Sequence, residues 1–161
     1  MSLTAFQALV AELGQSLGMA GMAAGEDGYI GLTIDKLDVH LQYEAEEDTV
    51  VLFCRLQEVD PDRRDVVYGM LLAANVLWQG ANGATFGADP DTGRVFLADR
   101  RARAALDVDS LSTWIERFVD TAGYWHARIE TANAGGPLQD GDAAPAGTLA
   151  PNGLPPGMGL A

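Results

Sequence analysis

The run from Val66 to Leu97, VVYGMLLAANVLWQGANGATFGADPDTGRVFL, constrains this chain more than any other stretch. It reads as a helix, a glycine-broken connector and a β-hairpin. At about 100° per residue, Val66, Met70 and Leu77 share one face of the helix, Val67, Leu71 and Trp78 the next, and Tyr68, Leu72 and Val76 much of the rest. Asn75 is the one strongly polar residue between Val66 and Trp78. A helix that is apolar all round has to be buried all round. Leaving about four such side chains in water forgoes roughly 6–12 kcal/mol, as much as the stability of a typical domain. The helix therefore calls for two partners: the chain's own sheet on one side and, on the other, the same helix of a second copy across a two-fold axis. The alternative, a helix enclosed in one larger core, sits poorly with a small domain that builds only two layers.

The remaining elements follow from periodicity. Residues 2–18 form an amphipathic helix with Leu3, Phe6, Leu9, Val10, Leu13 and Leu17 on one stripe. Thr4 and Gln7 have capping-box spacing, and Gly18 stands where a C-cap glycine would. After a small, glycine-rich segment come three strand patterns, Tyr29–Ile34, Val39–Tyr43 and Thr49–Leu56, joined by short polar connections that imply an antiparallel meander. The first two alternate apolar and polar residues, whereas the third is a nearly continuous apolar run and reads as a central strand.

Asp60-Pro61 precedes the second helix, which is expected to end at Gln79-Gly80. Thr85–Ala88 and Arg94–Leu97 are two short strands around the turn Asp89-Pro90-Asp91-Thr92-Gly93. A charged connector, Asp99–Asp107, then leads to a third helix with Asp109 as N-cap and a single apolar stripe from Leu111 to Ile129. The order is α-β-β-β-α-β-β-α: an α+β fold with a twisted antiparallel sheet packed by helices. It places a domain over residues 1–130 and a Gly/Pro/Ala-rich tail, expected to be disordered, over 131–161.

Charge narrows the partners. The net charge of -13 disfavours nucleic-acid backbones, anionic membrane surfaces and acidic proteins. The tail contributes only Asp140 and Asp142, so the acidity belongs to the domain. No stretch is long and apolar enough to span a membrane and no signal peptide is apparent, so a cytoplasmic protein is expected.

Chemistry is sparse. One cysteine and two histidines make no recognisable zinc site. A Cys54–His40 dyad needs a thiolate where Cys54 has apolar neighbours. Gly80, Gly83 and Gly87 lack the Gly-Lys-Ser/Thr of a phosphate loop. Asp89–Gly93 looks like the start of a calcium loop, but its twelfth position is Arg100 where a bidentate glutamate is needed. No catalytic residue, metal or cofactor is expected.

The segment LLAANVLWQGANGATFGADPDTGRVFL, followed by a charged connector and LSTWIERFVDTAGYWHARI, resembles the Tir chaperone family, the class I effector chaperones of bacterial type III secretion. The resemblance spans about residues 3–130 and rests on Leu71–Asn75, the Gly-Ala-Thr-Phe-Gly strand, the Asp-Pro-Asp-Thr-Gly turn, and a last helix with Phe118-Val119 and Tyr124-Trp125. It implies a cytoplasmic homodimer, without ATPase activity, that holds the N-terminal non-globular segment of a secreted effector export-competent. By the same resemblance, Phe6, Leu9, Val10, Ile30, Leu32 and Ile34 are expected to bind the effector. Val67, Met70, Leu71, Ala74, Trp78 and Phe86 are expected at the dimer interface. The secretion ATPase or export apparatus is a further partner it implies. The alternative is a dimeric regulatory or structural module that binds a folded component of the secretion system or its transcriptional control.

Overall fold

A computed structural model describes residues 2–19 and 21–136 of the chain. The tail beyond Gly136 lies outside the described residues, and so does most of the expected tail region. Eight main elements follow one another: α1 (Leu3–Ser16), β1 (Tyr29–Ile34), β2 (Leu37–Glu44), β3 (Thr49–Glu58), α2 (Arg64–Asn75), β4 (Thr85–Ala88), β5 (Arg94–Ala102) and α3 (Val108–Asn133). The strands form one antiparallel sheet in the order β1-β2-β3-β5-β4. The element order and the meander therefore match the sequence-based expectation, with β3 at the centre of the sheet.

Local chemistry fixes the ends of the elements. Asp35 and Lys36, both with positive φ, form the two-residue turn between β1 and β2, whose backbone twist matches that of paired strands. At the C-terminus of α1, Gly18 has φ +70. The Met19 N–H donates to the Gly14 carbonyl at 2.7 Å and the Gly18 N–H to the Gln15 carbonyl at 3.1 Å, the two bonds of a Schellman cap. The expected capping box does not form, because the helix begins one residue before Thr4. Gln7 instead donates to the Gly25 carbonyl at 2.9 Å and ties α1 to the loop before β1.

Strand β2 starts at Leu37 rather than Val39, because the turn takes only Asp35 and Lys36, and β3 runs on to Glu58, which pairs with Arg94. Three further boundaries differ from expectation for physical reasons. The strand β5 runs to Ala102 rather than Leu97, because Arg100 and Arg101 pair with Val51 and Val50 of β3. Its inward Asp99 accepts a 2.7 Å bond from the Trp114 indole, and Arg101 lies 4.9 Å over that ring, so polar residues complete the core's rim. Asp107, not Asp109, caps α3: its carboxylate accepts from the Ser110 N–H at 2.8 Å while the Ser110 hydroxyl accepts from the Asp107 N–H at 2.9 Å. Finally, α2 ends at Asn75, not at Gln79. Val76 is extended, and Leu77 and Trp78 take positive φ values of 52 and 56. Left-handed backbone costs on the order of 1–2 kcal/mol for each bulky residue, so other contacts must hold this connector. The Trp125 indole donates to the Gly80 carbonyl at 2.8 Å, and Gly80 lies so close to Ala74 that an added Cβ would stand 2.7 Å from the Ala74 Cβ.

The core lies on one face of the sheet, under α1 and α3. Val39, Leu41, Val50, Leu52, Cys54, Val95 and Leu97 are buried there with Phe6, Val10, Leu13, Leu111, Trp114 and Ile129. The opposite face keeps Tyr29, His40 and Phe53 in one stacked row, with centroids 5.8 and 5.0 Å apart.

Candidate partner-binding site

Two surfaces of the protomer leave large apolar side chains in water, and each begins at one end of the sheet. The first is at β1. An antiparallel pair closed by a two-residue turn alternates residues that bond across the pair with residues that do not. Ile34 and Leu37 flank the turn, so Ile34, Leu32 and Ile30 bond to β2 while Tyr29, Gly31 and Thr33 point their N–H and C=O groups the other way. Tyr29 is satisfied locally, donating to Asp27 Oδ1 at 3.1 Å and accepting from the Gly25 N–H at 2.8 Å. The backbone groups of Gly31 and Thr33 face the edge, where they have no partner among the described residues. Unpaired backbone of this kind is a template for another strand.

Beside that edge lies an apolar cavity of 580 Å³. Its floor is Leu13 of α1 with Ile115 and Val119 of α3, and its β1 wall is Leu32 and Ile34. Leu17, Met19 and Met22, from the end of α1 and the segment after it, form the outer wall. Leu17 and Met19 are more than half exposed. The rim carries the carboxylates Asp35, Glu116 and Asp120. A second, shallower hollow of 640 Å³ shares Met19, Met22 and Leu32 and extends the surface along Ile30 and Gly31.

The expected effector-binding residues divide between core and groove. Phe6, Leu9, Val10 and Ile30 are buried inside the protomer, with Phe6 stacked on Tyr43 at 5.7 Å. Leu32 and Ile34 are half-buried and line the cavity. Sequence reasoning missed Met19, Met22, Ile115 and Val119. Two methionines in a glycine-rich segment were the available signal, since methionine suits adaptable contact surfaces.

The second surface is on α2. Val67, Leu71 and Ala74 of the expected interface set are buried in the protomer's own core, as is Phe86, which meets the Trp125 ring edge-on at 4.9 Å. Met70 is half-buried, its sulfur accepting from Arg128 Nε at 3.2 Å. Trp78 is 57% exposed, and Val66, Leu72, Val76 and Leu77 accompany it in solvent. The helix thus has one face on the chain's own core and one face in water.

At the far edge of the sheet, the Asn75 side chain occupies β4. Its amide donates to the Phe86 carbonyl at 3.1 Å and its oxygen accepts from the Phe86 N–H at 2.9 Å, as a neighbouring strand would. The lone polar residue of the apolar helix is therefore a sheet cap.

No catalytic arrangement emerges around Cys54 or the histidines. Cys54 faces the core from β3 while His40 lies on the other face of the sheet, opposite Phe53. Burial pushes the Cys54 thiol up to about 12, far from a thiolate at neutral pH. His40 Nδ1 shares a 2.7 Å hydrogen bond with the Tyr29 hydroxyl, and His126 shares one of 3.1 Å with Gln57. The Asp89 loop is an Asx turn, its carboxylate accepting from the Thr92 hydroxyl at 2.7 Å and the Asp91 N–H at 3.0 Å.

This architecture has known counterparts. A model of the Tir chaperone protein (CesT) family matches residues 8–126. The chain belongs to this family. Among solved structures, the Tir chaperone fold of this chain is similar to a chain of the ExsC–ExsE complex, with a TM-score of 0.67 and 22% identity, covering 78% of this chain and 93% of the other. A chain of the HopA1–SchA chaperone–effector complex gives a TM-score of 0.61 at 18% identity, covering 83% of this chain and 97% of the other. The Yersinia pestis type III secretion chaperone SycH, solved with a fragment of YscM2, gives 0.58 at 22% identity, covering 74% and 98%. A comparison with curated protein sequences found no match. No helix among the described residues is long and apolar enough to cross a membrane.

Proposed function

We propose that this Tir chaperone family member is a homodimeric, non-enzymatic secretion chaperone of the bacterial cytoplasm. It holds the N-terminal non-globular segment of a type III effector in extended form, keeps it soluble and needs no ATP. The observation that carries this reading is the open β1 edge lying directly beside an apolar groove. An extended segment can donate main-chain hydrogen bonds to Gly31 and Thr33 while alternate side chains enter the cavity between α1, β1 and α3. In the dimer, Val66, Leu72, Val76, Leu77 and Trp78 of each protomer pack against their counterparts. Exposed Gly69, with open space around its Cα, lets the two α2 backbones approach closely.

The test is a tag pull-down from the native bacterium under secreting conditions, followed by light scattering of the captured complex. The expected result is a dimer holding the N-terminal region of one secreted protein. A dimer that holds only folded cytoplasmic proteins overturns the chaperone reading in favour of a regulatory module, and a monomer overturns the α2 interface.

A further inference from the structure

We infer that the segment received at β1 is a cationic one: an extended peptide in which apolar side chains alternate with lysine or arginine. This rests on the proposed use of the β1 groove and adds the chemistry of its occupant.

The argument starts from how the charge is distributed. Residues 1–54 hold nine carboxylates and a single cation, Lys36, whereas residues 55–136 hold twelve carboxylates and nine arginines. The acidity is thus concentrated in the half of the chain that supplies α1, β1 and β2. Around the cavity it is completed by α3, whose Glu116 and Asp120 line it together with Asp35. None of these three carboxylates makes an ion pair among the described residues; the two ion pairs found there join Arg94 to Glu58 and Arg100 to Glu47, both away from β1. Glu116 accepts only a 3.1 Å bond from the Ser112 hydroxyl.

A strand added at β1 alternates its side chains between the two faces of the sheet. One set enters the apolar cavity and so must be apolar. The other set lies beside Thr33 on the outer face, where Thr33 donates to the exposed carboxylate of Asp38 at 3.0 Å. Cations at these positions meet Asp38, and those at the segment's ends meet Asp35, Glu116 and Asp120 around the cavity. Acidic residues there would stand against unneutralised carboxylates, which costs affinity and rejects the wrong segment.

The experiment uses the full chain and three labelled peptides read by fluorescence anisotropy. The first is Gly-Ser-Leu-Lys-Val-Arg-Leu-Lys-Val-Ser-Gly; the second and third replace its cations with serine and with glutamate. The cationic peptide is expected to bind roughly tenfold tighter than the serine peptide, with the glutamate peptide weakest. The preference should shrink between about 50 and 500 mM NaCl, as screened charges require. In the variant D35N/D38N/E116Q/D120N the three affinities should converge. Equal binding of all three peptides to the unsubstituted chain, or a preference that survives in the variant, overturns the proposal and leaves the groove reading standing. Failure of all three to bind overturns the groove reading as well.

Discussion

The sheet ends in two edges that the chain treats in opposite ways. At β4, a strand of only four residues, Asn75 fills the backbone positions of Phe86 and α2 packs alongside. At β1, a strand of six, the closure stops at Tyr29, and the groups of Gly31 and Thr33 have no partner among the described residues. Open edges invite pairing with other chains, and proteins usually blunt them. This chain uses an asparagine at the end of α2 to blunt one edge, and the longer edge has no partner among the described residues beside the groove. The apolar surfaces differ in the same sense. The one on α2 and the segment after it is formed by the uncharged Leu72, Val76, Leu77 and Trp78 and suits a copy of itself. The one beside β1 is concave with an acidic rim and suits something extended.

Substitutions on α2 give the largest effects and separate its two faces. Leu71 is 4% exposed and Leu72 is 68% exposed, although they are neighbours in sequence. Leu71→Ala should cost about 2–5 kcal/mol of stability, read as a lower urea midpoint, with the dimer retained wherever the chain is folded. Leu72→Asp should instead give a folded monomer by light scattering, with unchanged far-ultraviolet circular dichroism. A dimeric Leu72→Asp chain would break the assignment of that face to a second copy.

The edge cap comes next. Asn75→Ala removes two hydrogen bonds and leaves the N–H and C=O of Phe86 unpartnered, a loss of roughly 1–3 kcal/mol. Amide exchange should accelerate at Phe86 first, while β1 and β2 keep their protection. If Asn75→Ala exchanged no faster there, the asparagine would not be serving as the missing strand. The complementary change at the open edge is Thr33→Pro. Proline is tolerated where the N–H faces away from the sheet, so stability should move by no more than about 0.5 kcal/mol. Binding of an extended segment should weaken about tenfold, because one main-chain donor is lost and the ring crowds the incoming strand. Calorimetry with a captured effector segment measures it, and an unchanged affinity would mean that the segment does not pair with β1.

Much of the contrast between the edges was legible in the sequence, and its limits have physical causes. Strand β1 was readable to the residue because its alternation has period two, whereas the start of β2 was missed because the positive φ of Asp35 and Lys36 that tightens the turn is not written in the alternation. The unsatisfied face of α2 was also readable, since the number of apolar residues around the helix does not depend on which neighbour covers them. Which residues went to which neighbour was not. Val67, Leu71 and Ala74 lie inward and Leu72 outward because of how the helix is rolled on the sheet, and tertiary packing decides that. The same applies to Phe6 and Val10, whose stripe fits a core and a groove equally well. The helix end at Asn75 was hidden because Val76, Leu77 and Trp78 continue the apolar pattern, while the reason for the break, a side chain capping a strand eleven residues later, is non-local. The extension of β5 was hidden because its charged residues are those of a connector until Trp114 provides a partner for Asp99.

The smallest expected effect concerns acid, and it touches both edges through one carboxylate each. Asp89 holds the β4–β5 turn, and Asp107 holds the N-terminus of α3, the helix whose Ile115 and Glu116 line the groove at β1. The Thr92 hydroxyl, with the backbone N–H groups of its turn, keeps the Asp89 carboxyl below the usual aspartate range. The Ser110 hydroxyl and N–H do the same for Asp107. A carboxylate whose pKa is lower in the folded chain contributes stability that is complete above its unfolded value of about 3.9 and disappears as pH falls through the folded value. Below that range the unfolded chain gains no further advantage from binding the proton. Acid should therefore loosen the Asp91 and Ser110 amides together, in a window that opens near pH 4 and extends below it. Asp107→Asn still caps the helix but cannot titrate, so it should flatten the pH dependence of exchange at Ser110 and leave that at Asp91 unchanged. If both amides responded to the one substitution, acid would be acting on the fold as a whole rather than on each end of the sheet separately.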